Sequence, residues 1–417
     1  MPGAELNLQN YGVRASVVWF DDVEVRPVAP QKIELVPDNR PAPMRPQLLY
    51  FSANLNYVRE TARQWASRGF AGFAFAHLMG DWKTDIWAED ANPDSRGAAD
   101  RLYLEAQNSL RECREGGLAV SALKVDFTSP MPDPYDEEFS SLLRENLRQA
   151  AKFARGTGFG MIVLDTGYNA AQYAPDWSGF RRGHTPQEIA IRLRQRWQEV
   201  GRALADAYPQ AQVGIMPEGA LYYGPLWAQL FAGLLEGLKA GGSQGAVHVF
   251  CAGSLLERDP LALRDHAETV RTVMDFSLDG DAQAFWRQRG KIALGAWPLG
   301  IYRVIRDASG KIVGYSGRAE VYGDKLVGAF ADKGACYSAR EFRIQLAALR
   351  TFSDTYCWIH GHGASWWQVT PEQADRYSKK VNRFPKDNYL LPTAPNIDEY
   401  YRITAEPLMV QITGDGT

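Results

Sequence analysis

The sequence carries no CxxC pair and no Cys/His spacing that would assemble a zinc site. Its four cysteines, Cys113, Cys251, Cys336 and Cys357, lie far apart, so buried free thiols are the expected state. No apolar run is long enough to span a bilayer, and the opening MPGAELNLQN has neither the basic nor the apolar region of a signal peptide. A soluble chain with no membrane partner is expected. Lys and Arg number 46 against 49 Asp and Glu, a net charge of -3, so the basic field that neutralises phosphates is missing and nucleic acid is not an expected partner. The first strand-like run is not followed by GxGxxG and nothing resembles a phosphate loop, which argues against a doubly wound nucleotide-binding sheet. No cofactor is called for.

What is present is a long alternation of short apolar runs and amphipathic segments, the pattern of parallel α/β architecture. Eight runs read as strands: QLLYFSANL (47–55), GFAGFAFAHL (69–78), GLAVSALKVDF (117–127), GFGMIVLDT (158–166), AQVGIMPEG (211–219), GAVHVFCAG (245–253), KIALGAWPLG (291–300) and TYCWIHGHG (355–363). Eight is the closure number of the (β/α)8 TIM barrel, and 417 residues suffice for one. Helix signals lie between the runs. Val58, Ala62, Trp65 and Ala66 share a face, and TPQE (185–188) and TPEQ (370–373) place Thr at the N-cap, Pro at N1 and Glu188 or Gln373 at N3. The segment 301–324 alternates like a hairpin around DASGK and is expected to wall one side of a cleft.

The organisation read from the chain is a β segment at 1–30, a Pro-rich linker at 31–46, the barrel at 47–390 and a C-terminal extension at 391–417. Within the first segment, VRASVVWFDDVEVRP (13–27) alternates as a sandwich strand does. Its VWFDDV stretch resembles the closing strand of the β-sandwich carbohydrate-binding modules attached to many bacterial polysaccharide-active enzymes. That resemblance implies a secreted or extracytoplasmic enzyme whose leader is removed, while the scattered cysteines leave the cytoplasm open. It also implies a carbohydrate partner. Twelve Trp and nineteen Tyr supply flat surfaces for sugar faces, although large aromatics are equally ordinary core material.

In such a barrel the reacting groups lie at the C-terminal ends of the strands. Read strand by strand, those ends carry Asn54 and Asn56; His77; Lys124 and Asp126; Asp165, Tyr168 and Asn169; Glu218, Tyr222 and Tyr223; Ser254 and Glu257; Trp297 and Tyr302; and His360, His362, Trp366 and Trp367. Glycosidic cleavage needs two carboxyl groups about 5 to 9.5 Å apart. Asp165, in MIVLDTGYN, and Glu218, in GIMPEGALYY, are the expected catalytic pair, with Asp126 and Glu257 in reserve. An Asp after the fourth strand and a Glu after the fifth are similar in position to the retaining α-amylase clan, which implies Asp165 as nucleophile and Glu218 as acid/base. The other short motifs of that clan are missing. The apolar neighbours of Glu218 are expected to favour its protonated form. The plainer reading is that one of the carboxylates orients a neighbouring Lys or caps a helix.

The loop HLMGDWKTDIWAEDANPDSRG (77–97) is long and rich in Trp and Asp, as binding loops are. Trp82, Asp85 and Trp87 are read as a sugar platform, or else as packing that holds the loop down. With His77, Asp126, Tyr168, Tyr222, Glu257, Trp297, His360, His362 and Trp366 they form the expected substrate-binding set. CWIHGHGASWW (357–367) resembles the last strand of bacterial TIM-barrel glycoside hydrolases, which implies an aromatic and polar cluster at the site. Two rivals remain: a metal-dependent hydrolase using His77, His360 and His362, and a barrel that binds sugar without chemistry. The HxH of metal-dependent barrel hydrolases belongs on the first strand, where this chain has Asn54 and Asn56, so a metal-free site is expected.

Overall fold

The computed structural model describes residues 31–53, 55–75, 96–127, 133–166, 183–219, 224–298, 302–306, 312–317, 320–322, 325–327, 338–361, 366, 372–373 and 397–413. Eight parallel strands close into a barrel: β2 (Gln47–Ala53), β3 (Phe70–Phe75), β4 (Val120–Asp126), β5 (Met161–Asp165), β6 (Gln212–Met216), β7 (Val247–Cys251), β8 (Gly290–Ala296) and β13 (Tyr356–His360), which returns to β2. The chain is an α/β TIM barrel. Seven of these strands fall inside their expected runs, and β8 starts one residue before its run, at Gly290. The helices between them are α1 (Leu55–Glu60), α2 (Ala62–Ser67), α3 (Arg96–Glu115), α4 (Glu137–Thr157), α5 (Pro186–Ala207), α6 (Gly224–Ala240), α7 (Pro260–Ser277), α8 (Gly280–Arg289) and α9 (Ala339–Phe352).

Local signals explain several boundaries. Thr185 and Glu188 form a reciprocal capping box at the start of α5 with Pro186 at its first position, as the sequence predicts, and Ser338 and Glu341 do the same for α9. TPEQ lies largely outside the described residues. Between β8 and α9, β9 (Tyr302–Arg306) pairs antiparallel with β10 (Ile312–Gly317), which gives the expected hairpin; β11 (Glu320–Tyr322) and β12 (Lys325–Val327) form a second one.

The segment expected to be a linker differs. Lys32–Pro37 is a strand, β1, paired antiparallel with β14 (Leu408–Thr413), so both flanks of the barrel join in one ribbon. A last helix, α10 (Ile397–Ala405), leads into β14 and stacks Tyr400 on Phe342 of α9 at 5.3 Å. Buried Arg350 of α9 donates to the carbonyls of Thr404 (2.6 Å) and Glu406, and its own carbonyl accepts from Arg40, which is paired with buried Asp38. Prolines remove ladder donors, but KIELV contains none, and the apolar alternation of β14 supplies the partner. Cys113, Cys251 and Cys357 are buried free thiols, as expected; Cys336 lies outside the described residues. Among the described residues no helix is long and apolar enough to cross a membrane.

The barrel lumen is filled by alternate residues of the strands: Leu49, Phe51, Ala74, Ala122, Met161, Val163, Met216, Phe250, Ala293, Tyr356 and Trp358 pack as one cluster. Glycine makes room for the largest of these. A Cβ at Gly214 would stand 2.7 Å from Phe250, and one at Gly295 would stand 2.4 Å from Trp358. The N-terminal end of the lumen is sealed by polar groups. His248 Nε2 meets Gln212 Oε1 at 2.7 Å, and Gln212 Nε2 donates to the Tyr356 hydroxyl at 3.1 Å.

Burial pushes the His248 imidazole down from its ordinary range to about 3. The folded protein therefore resists a proton that the unfolded chain accepts near pH 6.5, so this stabilisation is complete above that pH and is lost progressively as pH falls toward 3. Between pH 7 and pH 5 the wild type should lose about 2 kcal/mol more unfolding free energy than His248→Gln. Urea denaturation at the two pH values measures this; equal losses in both proteins would remove His248 as the acid-sensitive group.

Candidate functional site

The C-terminal end of the lumen is where the strand alternation delivers its polar residues. Lys124 follows Ala122 along β4, and Asp165 follows Met161 and Val163 along β5. Their side chains meet at 2.8 Å, Nζ to Oδ2, and both are nearly fully buried. A buried ion pair of this kind needs donors and acceptors around it, because each charge has lost most of its hydration. Beneath it lies the apolar layer containing Met216, Phe250, Phe51 and Trp358. On the far side of the mouth the same alternation places Trp297 after Ala293 and Gly295, and His360 after Tyr356 and Trp358. The two rings meet edge to face at 4.9 Å. The Trp297 amide donates to the carbonyl of Leu255, which ties this wall to the turn after β7.

Asp126 stands beside Asp165 in the parallel register of β4 and β5. The Phe127 amide donates to the Asp165 carbonyl, and the Thr166 amide and hydroxyl donate to the Met216 carbonyl, which fixes the ends of β4, β5 and β6 against one another.

Glu218 departs from its expected surroundings. It is wholly buried, but against donors rather than apolar groups: the Ala252 amide donates to Oε2 at 2.6 Å, the Gly253 amide donates to Oε1 at 2.7 Å, and His266 Nε2 lies 3.0 Å from Oε1. His266 belongs to α7, outside the barrel wall. Glu218 therefore faces away from the lumen, capping the 3-10 turn Gly253–Leu256 and tying it to α7. Cys251 lies in the same cluster, and burial pushes its thiol well above the ordinary thiol range. Trp366 is a second correction. It is fully buried outside the lumen against Tyr50, Phe70, Phe342 and Tyr400, so it packs the shell between barrel and helices instead of lining the mouth.

Ser254 also works as a tie: its one hydroxyl proton is within reach of the Cys251 carbonyl (2.9 Å) and the Gly295 carbonyl (3.1 Å), and its oxygen accepts from the Gly295 amide. Glu257 accepts from the amides of Arg258 and Asp259 within its own turn. His77, Trp82, Asp85, Trp87, Tyr168, Asn169, Tyr222, Tyr223, His362 and Trp367 lie outside the described residues, as does Asn54. Of the expected set, the structure thus brings Asp165, Trp297 and His360 to one mouth. Sequence reading did not find His266 or Cys251 as neighbours of Glu218, because DHAET in α7 looks like an ordinary polar helix stretch and nothing in its spacing points back to β6.

No protein-family model matches the chain, and no curated protein matches it. Among solved structures, a glucosidase from Croceicoccus marinus aligns over 94% of this chain and 74% of its own at 13% identity and a TM-score of 0.44. Xylanase 10B from Thermotoga maritima aligns over 87% and 95% at 10% identity and 0.38. A D-psicose 3-epimerase from Clostridium cellulolyticum H10 aligns over 86% and 96% at 9% identity and 0.37. Likenesses this distant, spread over different chemistries, carry no argument about activity; the barrel rests on the strand order itself.

The ion pair has a measurable consequence. Lys124→Met leaves the Asp165 carboxylate buried without its cation and should cost about 3 to 5 kcal/mol of stability. Adding Asp165→Leu should recover a substantial part of that loss. Chemical denaturation of the two single variants and the double variant completes the cycle; strictly additive losses would show that the two charges do not interact.

Proposed function

We propose that this chain is a glycoside hydrolase that acts at the C-terminal mouth of its barrel. The observation that carries the reading is the Lys124–Asp165 ion pair, a carboxylate at the end of a barrel strand with its charge balanced by a buried ammonium. An adjacent cation favours the ionised form, which an attacking nucleophile or a base that activates water requires. Trp297 and His360 supply the flat, partly polar wall that suits a sugar ring. The loop 77–97, with His77, Trp82, Asp85 and Trp87, together with Tyr168, Tyr222 and His362, supplies further proposed sugar contacts.

The second carboxylate in this reading is Asp126 rather than Glu218. An acid catalyst must touch the leaving oxygen, and Glu218 has no exposed surface and three donors around its two oxygens. Asp126 is the register neighbour of Asp165. Adjacent strands run about 4.8 Å apart, so the backbone register offers Asp126 as the candidate partner for a retaining mechanism, whose two carboxyl groups lie about 5 to 5.5 Å apart.

A panel of aryl glycosides and polysaccharides tests the reading. Turnover of at least one substrate is expected, with Asp165→Asn lowering kcat about 10³-fold and Asp126→Asn harming poor leaving groups more than activated ones. Glu218→Gln should lower stability without altering the leaving-group dependence. Failure to hydrolyse any glycoside, or near-normal turnover in Asp165→Asn, would sink the proposal.

Lys124 favours one second reading, since an amine in a barrel lumen beside a carboxylate can form an imine with a sugar carbonyl. Borohydride reduction in the presence of an open-chain ketose or aldose would then add the sugar mass less one oxygen to Lys124, since water leaves as the imine forms and two hydrogens are gained on reduction. An unmodified Lys124 peptide would remove this reading and leave the hydrolase proposal intact.

A further inference from the structure

We propose that Glu218, Cys251 and His266 form a binding site for a divalent transition-metal ion with zinc's ligand preferences, on the outer side of the barrel wall and separate from the mouth. Their ligand atoms all lie within 4.8 Å of one another, and they come from three elements: the turn after β6, the end of β7 and the body of α7. Carboxylate, thiolate and imidazole together are a donor set that suits Zn²⁺ and disfavours Mg²⁺ or Ca²⁺, which take oxygen ligands.

The geometry is close to what an ion needs. Tetrahedral Zn²⁺ bonds of about 2.0 to 2.3 Å separate neighbouring ligand atoms by about 3.3 to 3.6 Å. Glu218 Oε1 and His266 Nε2 are 3.0 Å apart, so a few tenths of an ångström of widening admits the ion between them. The Cys251 Sγ, within 4.8 Å of both, supplies the third ligand atom. Glu218 is already oriented from behind by the Ala252 and Gly253 amides, which serve as outer-shell donors and leave the direction toward His266 for the metal. Ala252 and Gly253 directly follow Cys251, so one short turn positions two of the three ligands.

Access and proton balance are also met. The carboxylate and thiol are wholly buried, whereas the His266 side chain is 17% exposed and offers the route by which an ion and a completing water arrive. Binding replaces the His266–Glu218 hydrogen bond with bonds to the metal: the Nε2 proton leaves that nitrogen, for Nδ1 in the neutral ring or for solvent from the imidazolium, and the Cys251 thiol proton is released to solvent. The bound ion clamps α7 to the ends of β6 and β7. The competing account is a hydrogen-bonded His–Glu pair with the thiol as bystander.

Cobalt titration of the full chain, freed of metal beforehand, separates the two. One equivalent of Co²⁺ should bind saturably, with near-ultraviolet thiolate-to-cobalt absorption and the visible bands of a four-coordinate ion, and Zn²⁺ should displace it. Cys251→Ser should abolish the near-ultraviolet band, while Cys113→Ser should leave it unchanged. His266→Gln, at a partly exposed position, should weaken binding at least tenfold with its circular dichroism preserved, and it keeps the test decisive if Cys251→Ser misfolds. No saturable Co²⁺ or Zn²⁺ binding by the wild-type chain, or binding equal in wild type and His266→Gln, would overturn the proposal.

Discussion

Closure of the eight parallel strands is the constraint on which everything else in this molecule depends. Once β13 pairs with β2, each strand must send alternate residues into a lumen of fixed width and the others toward the helices. The lumen then has to be filled without overpacking. Phe250 fits because residue 214 has no side chain, and Trp358 fits because residue 295 has none. The same alternation that stacks Met161 and Val163 carries Asp165 to the mouth, and the one that stacks Ala122 carries Lys124 to meet it.

Two carboxylates of similar sequence setting take opposite roles under this constraint. Asp165 ends its strand in phase with the lumen and finds an ammonium there. Glu218 lies beyond the end of β6, where the chain has left the ladder, and its side chain passes to the outer side and collects two amides and an imidazole. Both outcomes satisfy the rule that buried charge needs partners. Only the first keeps its charge at the C-terminal end of the lumen, and the second turns the carboxylate into a junction between the wall and α7.

The molecule thus separates polar functions along and across the barrel. The N-terminal end of the lumen is closed by Gln212, His248 and Tyr356, the C-terminal end carries the ion pair and the Trp297–His360 wall, and the Glu218 cluster lies outside. This division accords with the usual use of such barrels, in which one face gives stability and the opposite face gives chemistry. The β1–β14 ribbon and α10 lie apart from these groups and fasten the two flanks of the barrel to α9.

Fold was legible in the residues themselves because strand burial and helix capping are local: eight apolar runs, and the Thr185–Glu188 box, mark their elements whatever surrounds them. The α/β TIM barrel, the hairpin after β8 and the buried thiols follow from such patterns. The sequence also brought Asp165 and Lys124 to the ends of adjacent strands. Which way a residue points once its strand has ended is not local, and so Glu218 and Trp366 read as mouth residues although one faces α7 and the other fills the outer shell. Pairing between distant segments is likewise invisible to periodicity, since KIELV looks like a linker until β14, some 370 residues later, supplies its partner. Tertiary structure alone decided these points, because a side chain beyond a strand goes wherever its hydrogen-bond partners or packing neighbours happen to be, and those come from other parts of the chain.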